Sequence, residues 1–205
     1  MNKFYVRLMV SLLMITALCL MAPAQDTKPA QAGMARLENS KVKEQTAAPP
    51  SRSHKEIKVD QSVTYRLPPP DMIPQGKGKG RPLQIGVSRP FSLNPILKSK
   101  WYDLGPDGRV GVFGLVSSGA VQMRVHFTDV DLPRGAKLFV YAMKNPDEIY
   151  GPFIGRGPSG DKTLWTPPID GDGVIVEYFT PGSSPRLRDK PPPFLVSAIS
   201  HIFRN

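Results

Sequence analysis

Short segments of alternating apolar and polar residues run through the chain from Leu83 onward, and they constrain its fold more than any other feature. The clearest of them lies at 120–128. Its apolar residues are Val121, Met123, Val125 and Phe127, and its polar residues are Gln122, Arg124, His126 and Thr128. Because a period of two is that of a β-strand, this segment is predicted to have one buried face and one solvated face.

The same pattern predicts eight strands, at 83–89, 109–117, 120–128, 136–142, 149–154, 163–166, 173–180 and 194–203. Turn sequences rich in Gly, Pro, Asn and Asp separate them, with no helical pattern between. The chain has 23 prolines in 205 residues, and a proline costs about 3 kcal/mol inside a helix, which excludes a helical bundle. We therefore expect an all-β fold, an antiparallel β-sandwich or jelly roll of about seven to eight strands.

The strand at 136–142 differs from its neighbours because both of its faces are apolar. Phe139 and Tyr141 share one face, and Leu138 and Val140 share the other. Such a strand is either buried on both sides or half-lines a shallow site.

The first 24 residues have the pattern of a secretory signal peptide. Lys3 and Arg7 precede an apolar run, Leu8 to Met21, which is followed by the small-x-small triplet at 22–24. The run is shorter than the roughly 20 residues that span a bilayer, so cleavage is favoured over an uncleaved anchor. Cys19 lies within the run and follows a leucine, which argues against a lipoprotein signal. We expect a secreted protein, periplasmic or extracellular, that meets the membrane only through this peptide before cleavage.

The mature chain divides into a flexible arm and linker at 25–82 and a β-sandwich domain at 83–205. The arm is rich in Lys, Gln, Ala, Ser and Pro and has few large apolar residues, so it cannot bury enough surface to offset chain entropy. The formal net charge of the whole chain is +10, and half of it lies in this arm, which has eleven basic and six acidic residues. Its basic residues are scattered among acidic ones without interleaved aromatics, so a solvated linker is favoured over a nucleic-acid partner.

The sequence offers little for cofactor or metal chemistry. Residues 155–160 match G-x-G-x-x-G, but the segment that follows reads as a strand ending in Pro167-Pro168, and no helix can form there to hold a pyrophosphate. One Cys and three His exclude a disulfide scaffold, a Cys-rich zinc module and an iron–sulfur cluster. Aspartates in the loops could bind Ca²⁺, but they are favoured as ordinary turn residues. We expect no cofactor and no metal.

A catalytic site is not expected either. His54 lies in the arm, and His126 and His201 are expected to be surface or rim residues; no Ser occupies a G-x-S-x-G elbow. The candidate binding surface is instead Trp101, Arg124, His126 and Trp165.

The order of several short motifs resembles that of a known family. The motifs are Leu67-Pro68-Pro69, Trp101 with Asp107-Gly108, Gly119-Ala120, Arg124-Val125-His126-Phe127, Leu132-Pro133-x-Gly135-Ala136-x-Leu138-x-Val140-Tyr141, Gly151-Pro152-Phe153, Trp165-Thr166-Pro167-Pro168, Gly171-Asp172, Val174-x-Val176-Glu177-Tyr178 and His201-x-Phe203-Arg204. Together they resemble the non-catalytic N-terminal region of secreted bacterial trypsin-like serine endopeptidases of the lysyl endopeptidase type.

This resemblance implies a pro-region that assists folding of the protease or restrains it. The catalytic His, Asp and Ser of that family lie in the domain that follows, so no catalytic residue is carried over to this chain. We therefore expect a non-enzymatic accessory domain, or the N-terminal part of a truncated or split protease. Its partner would be a co-secreted trypsin-like protease or the missing catalytic domain. The alternative is a stand-alone extracellular module that binds a glycan or a surface protein.

Overall fold

The computed structural model describes residues 48–68, 70, 84–91, 94–182 and 191–203. These residues form eleven strands: β1 (Val63–Leu67), β2 (Gly86–Pro90), β3 (Lys100–Asp103), β4 (Arg109–Ser117), β5 (Gln122–Thr128), β6 (Lys137–Ala142), β7 (Ile149–Phe153), β8 (Leu164–Trp165), β9 (Ile169–Asp170), β10 (Gly173–Thr180) and β11 (Leu195–Ile202). The only helices among them are 3₁₀ turns of three or four residues. The expected all-β fold is confirmed.

The strands build two sheets. The first sheet has the order β1-β4-β10-β6-β7, and β3 also pairs with β4. The second sheet has the order β2-β11-β5-β8, and β9 also pairs with β5. All neighbouring strands are antiparallel except β1 and β4, which run parallel.

The main hydrophobic core lies between the two sheets. The first sheet contributes Phe113, Leu115, Leu138, Val140, Val174, Val176 and Tyr178; the second contributes Met123, Val125, Phe127, Val196 and Ile199. Each set comes from alternate positions of its strands, as the period-two pattern requires, except that a bulge in β11 places Val196 and Ile199 three residues apart. The two sheets therefore form a sandwich, and the jelly-roll connection remains a prediction.

Each of the eight predicted strands corresponds to an observed strand, with ends that differ by three residues at most. The prediction missed β1, β3 and β9. β3 and β9 have four and two residues, which is too short to show alternation. β1 falls in the segment whose composition predicted an arm, and its pairing with β4 depends on a neighbour distant in sequence.

The outer face of the first sheet is apolar as well, because β4, β6 and β10 are buried on both sides. A second cluster there is formed by Ile57, Leu104, Val110, Val112, Tyr141 and Ile175. The cover is the segment 48–62, which we call the strap. It crosses this face and inserts Ile57, which is 5% exposed, with Val59 packed beside it.

The structure corrects the predicted arm at 25–82 over the strap and β1. Residues 48–67 pack onto the domain because a sheet with two apolar faces needs two covers, and composition alone does not reveal this. The predictions for the signal peptide at 1–24, for the arm at 25–47 and for most of the linker before Gln84 lie outside the described residues. Within the described part of the chain, no helix has the length and hydropathy to cross a bilayer.

Candidate functional site

Three of the four residues predicted as a binding surface meet on the outer face of the second sheet. The alternation of β5 turns Arg124 and His126 outward, and the antiparallel register places Trp165 of β8 directly opposite His126. The rings of His126 and Trp165 stack, with centroids 4.3 Å apart and planes 5° from parallel. The Arg124 guanidinium lies 5.1 Å from the centroid of the Trp165 ring. We call these three residues the stacked cluster.

Arg124 is held in place by the backbone as well as by the ring. Its Nε donates a hydrogen bond of 2.9 Å to the carbonyl oxygen of Thr166. Thr166 is itself fully buried and paired with Val125: its Oγ1 accepts from the Val125 amide, and its own amide donates to the Val125 carbonyl, both at 3.0 Å. A guanidinium fixed by one nitrogen and by an aromatic ring loses little conformational freedom when a ligand binds its remaining N–H groups.

His126 is fixed by Ser197, which lies at a β-bulge in β11. The hydroxyl oxygen of Ser197 is 2.8 Å from Nδ1 of His126 and 3.3 Å from its carbonyl oxygen. Burial lowers the pKa of His126 below its ordinary value. The imidazole is therefore neutral at pH 7, and Arg124 carries the positive charge of the cluster.

The floor beside the stacked cluster is made of small side chains. Across the neighbouring strands β11 and β2, the residues opposite His126 are Ala198 and then Pro90. The residues opposite Arg124 are Ser200 and then Ser88. Trp165 rises above this floor and is 37% exposed. The result is a surface of small side chains with one rigid aromatic and cationic ridge.

Trp101 is not part of this surface. It lies on β3 of the first sheet, and its ring covers Gly111, where a Cβ atom would come within 2.9 Å of it. Its ring makes an edge-to-face contact with Tyr178, with centroids 6.1 Å apart, and packs against the main core. The Arg109 guanidinium lies 5.6 Å from the centroid of the Trp101 ring. The structure thus separates Trp101 from the other three predicted residues.

His201 is buried, at 3% exposure, and not a surface or rim residue as predicted. The bulge near Ser197 shifts the alternation of β11, so that His201 turns inward opposite Met123. Its Nδ1 lies 2.8 Å from the hydroxyl oxygen of Ser117, which also accepts a 2.9 Å hydrogen bond from Arg89. Ser117 thus links His201 to Arg89 through hydrogen bonds. Burial, and secondarily the charge of Arg89, lower the pKa of His201.

Two residues of the surface were missed by the sequence analysis. Ser197 carried no signal, because a bulge is set by how two strands pair and leaves no mark in a single sequence. Thr166 belongs to the motif Trp165-Thr166-Pro167-Pro168, so its position was marked, but its hydrogen bonds follow only from the pairing of β5 with the segment between β8 and β9.

The loop at 155–160 precedes β8, which begins at Leu164, so the G-x-G-x-x-G sequence opens no helix. Gly155, Gly157 and Gly160 all have positive φ angles and serve the turns of this loop. Across the described residues, no group of three or more His, Cys, Asp or Glu side chains is placed to hold a metal ion.

Comparison with known proteins gives one family. The family model of the lysyl endopeptidase N-terminal domain matches residues 67–203. No curated protein and no solved structure matches the chain significantly. The match begins at the end of β1 and includes both sheets from there to the end of β11, with all three residues of the stacked cluster. Because it covers more than half of the chain, the chain belongs to the lysyl endopeptidase N-terminal domain family.

Proposed function

We propose that this protein is a non-catalytic accessory domain, exported from the cell, that binds a trypsin-like serine endopeptidase of the lysyl endopeptidase type. The match to the family of N-terminal domains carries this proposal. A domain that binds the native protease better than its unfolded chain stabilises the native enzyme by mass action. The same binding restrains the enzyme if it covers the catalytic cleft.

The two Ser–His pairs of the structure favour a non-catalytic role. Ser117 is completely buried, so no substrate can reach its hydroxyl, and the same oxygen accepts a hydrogen bond from Arg89. Ser197 lies within hydrogen-bonding distance of the carbonyl oxygen of His126, to which its hydroxyl can donate. Both pairs are better explained as structural supports.

We place the contact with the protease at the stacked cluster. Trp and Arg are enriched among the residues that dominate binding energy at interfaces, and such residues are most effective when they are already held in their bound geometry. Trp165 and Arg124 meet both conditions. The outer face of the first sheet is already covered by the strap.

The test is a refolding and inhibition assay. The full chain, expressed with export, is added to a denatured and to an active lysyl endopeptidase. We expect a higher yield of refolded protease, or slower cleavage of a lysyl ester by the active enzyme. A chain that neither binds the protease nor changes its refolding or its rate contradicts the proposal.

The contact surface has its own test. Trp165→Ala and Arg124→Ala should each weaken protease binding by at least about 2 kcal/mol, the cost typical of a residue that dominates an interface. The matched control is Leu97→Ala, an exposed apolar residue at 57% exposure in a 3₁₀ turn outside the cluster. If the wild type binds and all three variants bind equally well, the domain acts on the protease through another surface.

A second candidate function is glycan binding, which is favoured by the exposure of the Trp165 ring beside polar side chains. Sugars stack on exposed aromatic faces, and the neighbouring Ser and Arg side chains could bind hydroxyl groups. Binding on a glycan array that is lost in Trp165→Ala but kept in Trp101→Ala would support it. Equal binding by both variants would exclude Trp165 as the sugar platform.

A further inference from the structure

A cavity of about 530 Å³ lies between the strap and the outer face of the first sheet. Its floor is apolar and consists of Tyr141 of β6, Met143 directly after β6, and Ile175 of β10. Val59 of the strap and Pro146 add apolar surface. Cavities of this size with a mainly apolar lining are typical of sites for small molecules.

The rim of the cavity carries charges of both signs. Arg52 is already engaged, because its Nη2 donates to Asp147 at 3.1 Å and to the carbonyl oxygen of Pro146. Arg66 of β1 and Asp60 of the strap also line the cavity. Within the part of the chain that the structure describes, neither of these two side chains has a hydrogen bond or an ion pair. The rim therefore offers one free cation and one free anion above an apolar floor.

We propose that this cavity binds a small zwitterion with an apolar body, an amino acid or dipeptide of the leucine type. Its carboxylate would pair with Arg66, which can donate two N–H hydrogen bonds to it. Its ammonium group would pair with Asp60, and its side chain would cover Met143 and Ile175. The proposal goes beyond the binding of a protease and does not depend on it.

The strap is a positioning element for this site, since it supplies Asp60 and Val59. It is fastened to the sheet by Glu177, which is fully buried in the apolar outer face. The Glu177 carboxylate accepts hydrogen bonds from the amide of Ser51 at 3.2 Å, from the hydroxyl of Ser51 and from the hydroxyl of Tyr141. Farther along, the hydroxyl of Tyr102 donates to the carbonyl oxygen of Lys58 at 2.7 Å.

The experiment is calorimetric titration of the full chain with L-leucine and L-leucyl-L-leucine. N-acetyl-leucine lacks the ammonium group and leucinamide lacks the carboxylate, so they are the matched controls. We expect one of the two zwitterions to bind with a Kd below about 1 mM, and each control to bind at least about tenfold more weakly. The tighter of the two zwitterions identifies the source as a free amino acid or a dipeptide.

Two variants assign the charges. Arg66→Gln should abolish the discrimination between leucine and leucinamide, and Asp60→Asn should abolish the discrimination between leucine and N-acetyl-leucine. Both residues are exposed, so the variants are expected to fold. Glu177→Gln should weaken all ligands together, since it loosens the strap without touching the rim. No binding of either zwitterion, or discrimination that both rim variants leave unchanged, overturns the proposal.

Discussion

Glu177 shows how much one buried polar residue can decide at the scale of single side chains. It lies on a strand whose other outward residues are apolar, yet it is fully buried. A carboxylate is tolerated there because three donors face it, two of them from Ser51 of the strap. Burial, followed by the charge of Glu177, raises the pKa of Tyr141, so the phenol stays protonated and remains a donor at every physiological pH.

Replacement of this carboxylate should be costly. Glu177→Gln turns an N–H₂ group toward donors that need an acceptor, so we expect the free energy of unfolding to fall by about 1–3 kcal/mol. Urea denaturation followed by tryptophan fluorescence measures it. Asp147→Asn is the matched control, because Asp147 is bonded to the strap by Arg52 but is 90% exposed, and we expect little change there. Equal losses in the two variants would contradict a special role for Glu177.

His201 should make stability depend on pH. Its pKa is lowered in the folded protein, so the unfolded chain takes up the proton first as the pH falls. The stabilising contribution of the neutral ring is thus fully present above about pH 6.5, the ordinary value of histidine, and is lost as the pH falls from there through the folded pKa. We expect the free energy of unfolding to decrease between about pH 7 and pH 5.5.

The check is a series of urea titrations across this pH range for the wild type and for His201→Gln. The variant should be less stable at every pH but should show a smaller slope of stability against pH. Burial also lowers the pKa of His126, so His126→Gln should reduce the slope of stability against pH as well. A slope that neither substitution changes would mean that other groups produce the pH dependence.

At the scale of elements, the strap covers the outer face of the first sheet as a third layer. Its only regular structure is two 3₁₀ turns. It is attached to the sheet by two buried residues, Pro49 and Ile57, and by hydrogen bonds near its two ends. An element with so few contacts is expected to open locally before the domain unfolds.

Ile57→Ala should therefore release the strap. Loss of a buried isoleucine side chain costs about 2–5 kcal/mol, which exceeds what the remaining strap contacts can offset. We expect rapid cleavage by trypsin at the basic residues of the strap, while the two sheets stay intact. Limited proteolysis with mass spectrometry gives the sites and rates. Leu97→Ala is the control, and a strap that remains equally resistant in Ile57→Ala would contradict its dependence on this anchor.

At the scale of the whole molecule, the first sheet lies in the middle of three layers. The second sheet covers one face of it and the strap covers the other. β4, β6 and β10 are therefore shielded on both faces, and each is paired with a strand on both of its edges. β2 and β7 lie at the edges of their sheets and are paired on one side only. The most stable part of the protein should be this central group of strands.

Hydrogen exchange tests that arrangement. Amides in β4, β6 and β10 should exchange only through global unfolding and should be the slowest of the chain. Amides in β2 and β7 should exchange faster, through local opening of the edges. If β2 proves as slow as β10, the centre of stability lies in the second sheet and the three-layer description is wrong.

Alternation and turn sequences were sufficient to predict the class of fold and the faces of most strands. Alternation in β5 assigned Arg124 and His126 to the solvent and Val125 to the core, because side-chain direction in a strand has a fixed period of two. For β6, the apolar residues on both faces permitted two hypotheses: a strand buried on both sides, or a strand that half-lines a shallow site. Both hold in part, since Tyr141 is buried and also lines the cavity.

Features that depend on pairing between distant segments could be seen only in the folded chain. The bulge at Ser197 turns His201 into the core, and the antiparallel register brings Trp165 onto His126. Trp101 instead pairs with Gly111 in the first sheet, and its ring covers that glycine. The composition of the strap predicts a free arm, because most of its own residues are polar and the apolar surface that it covers belongs to β4, β6 and β10. Local patterns record which way a side chain points, whereas the register between strands, and the face that a segment covers, are set by contacts far apart in the chain.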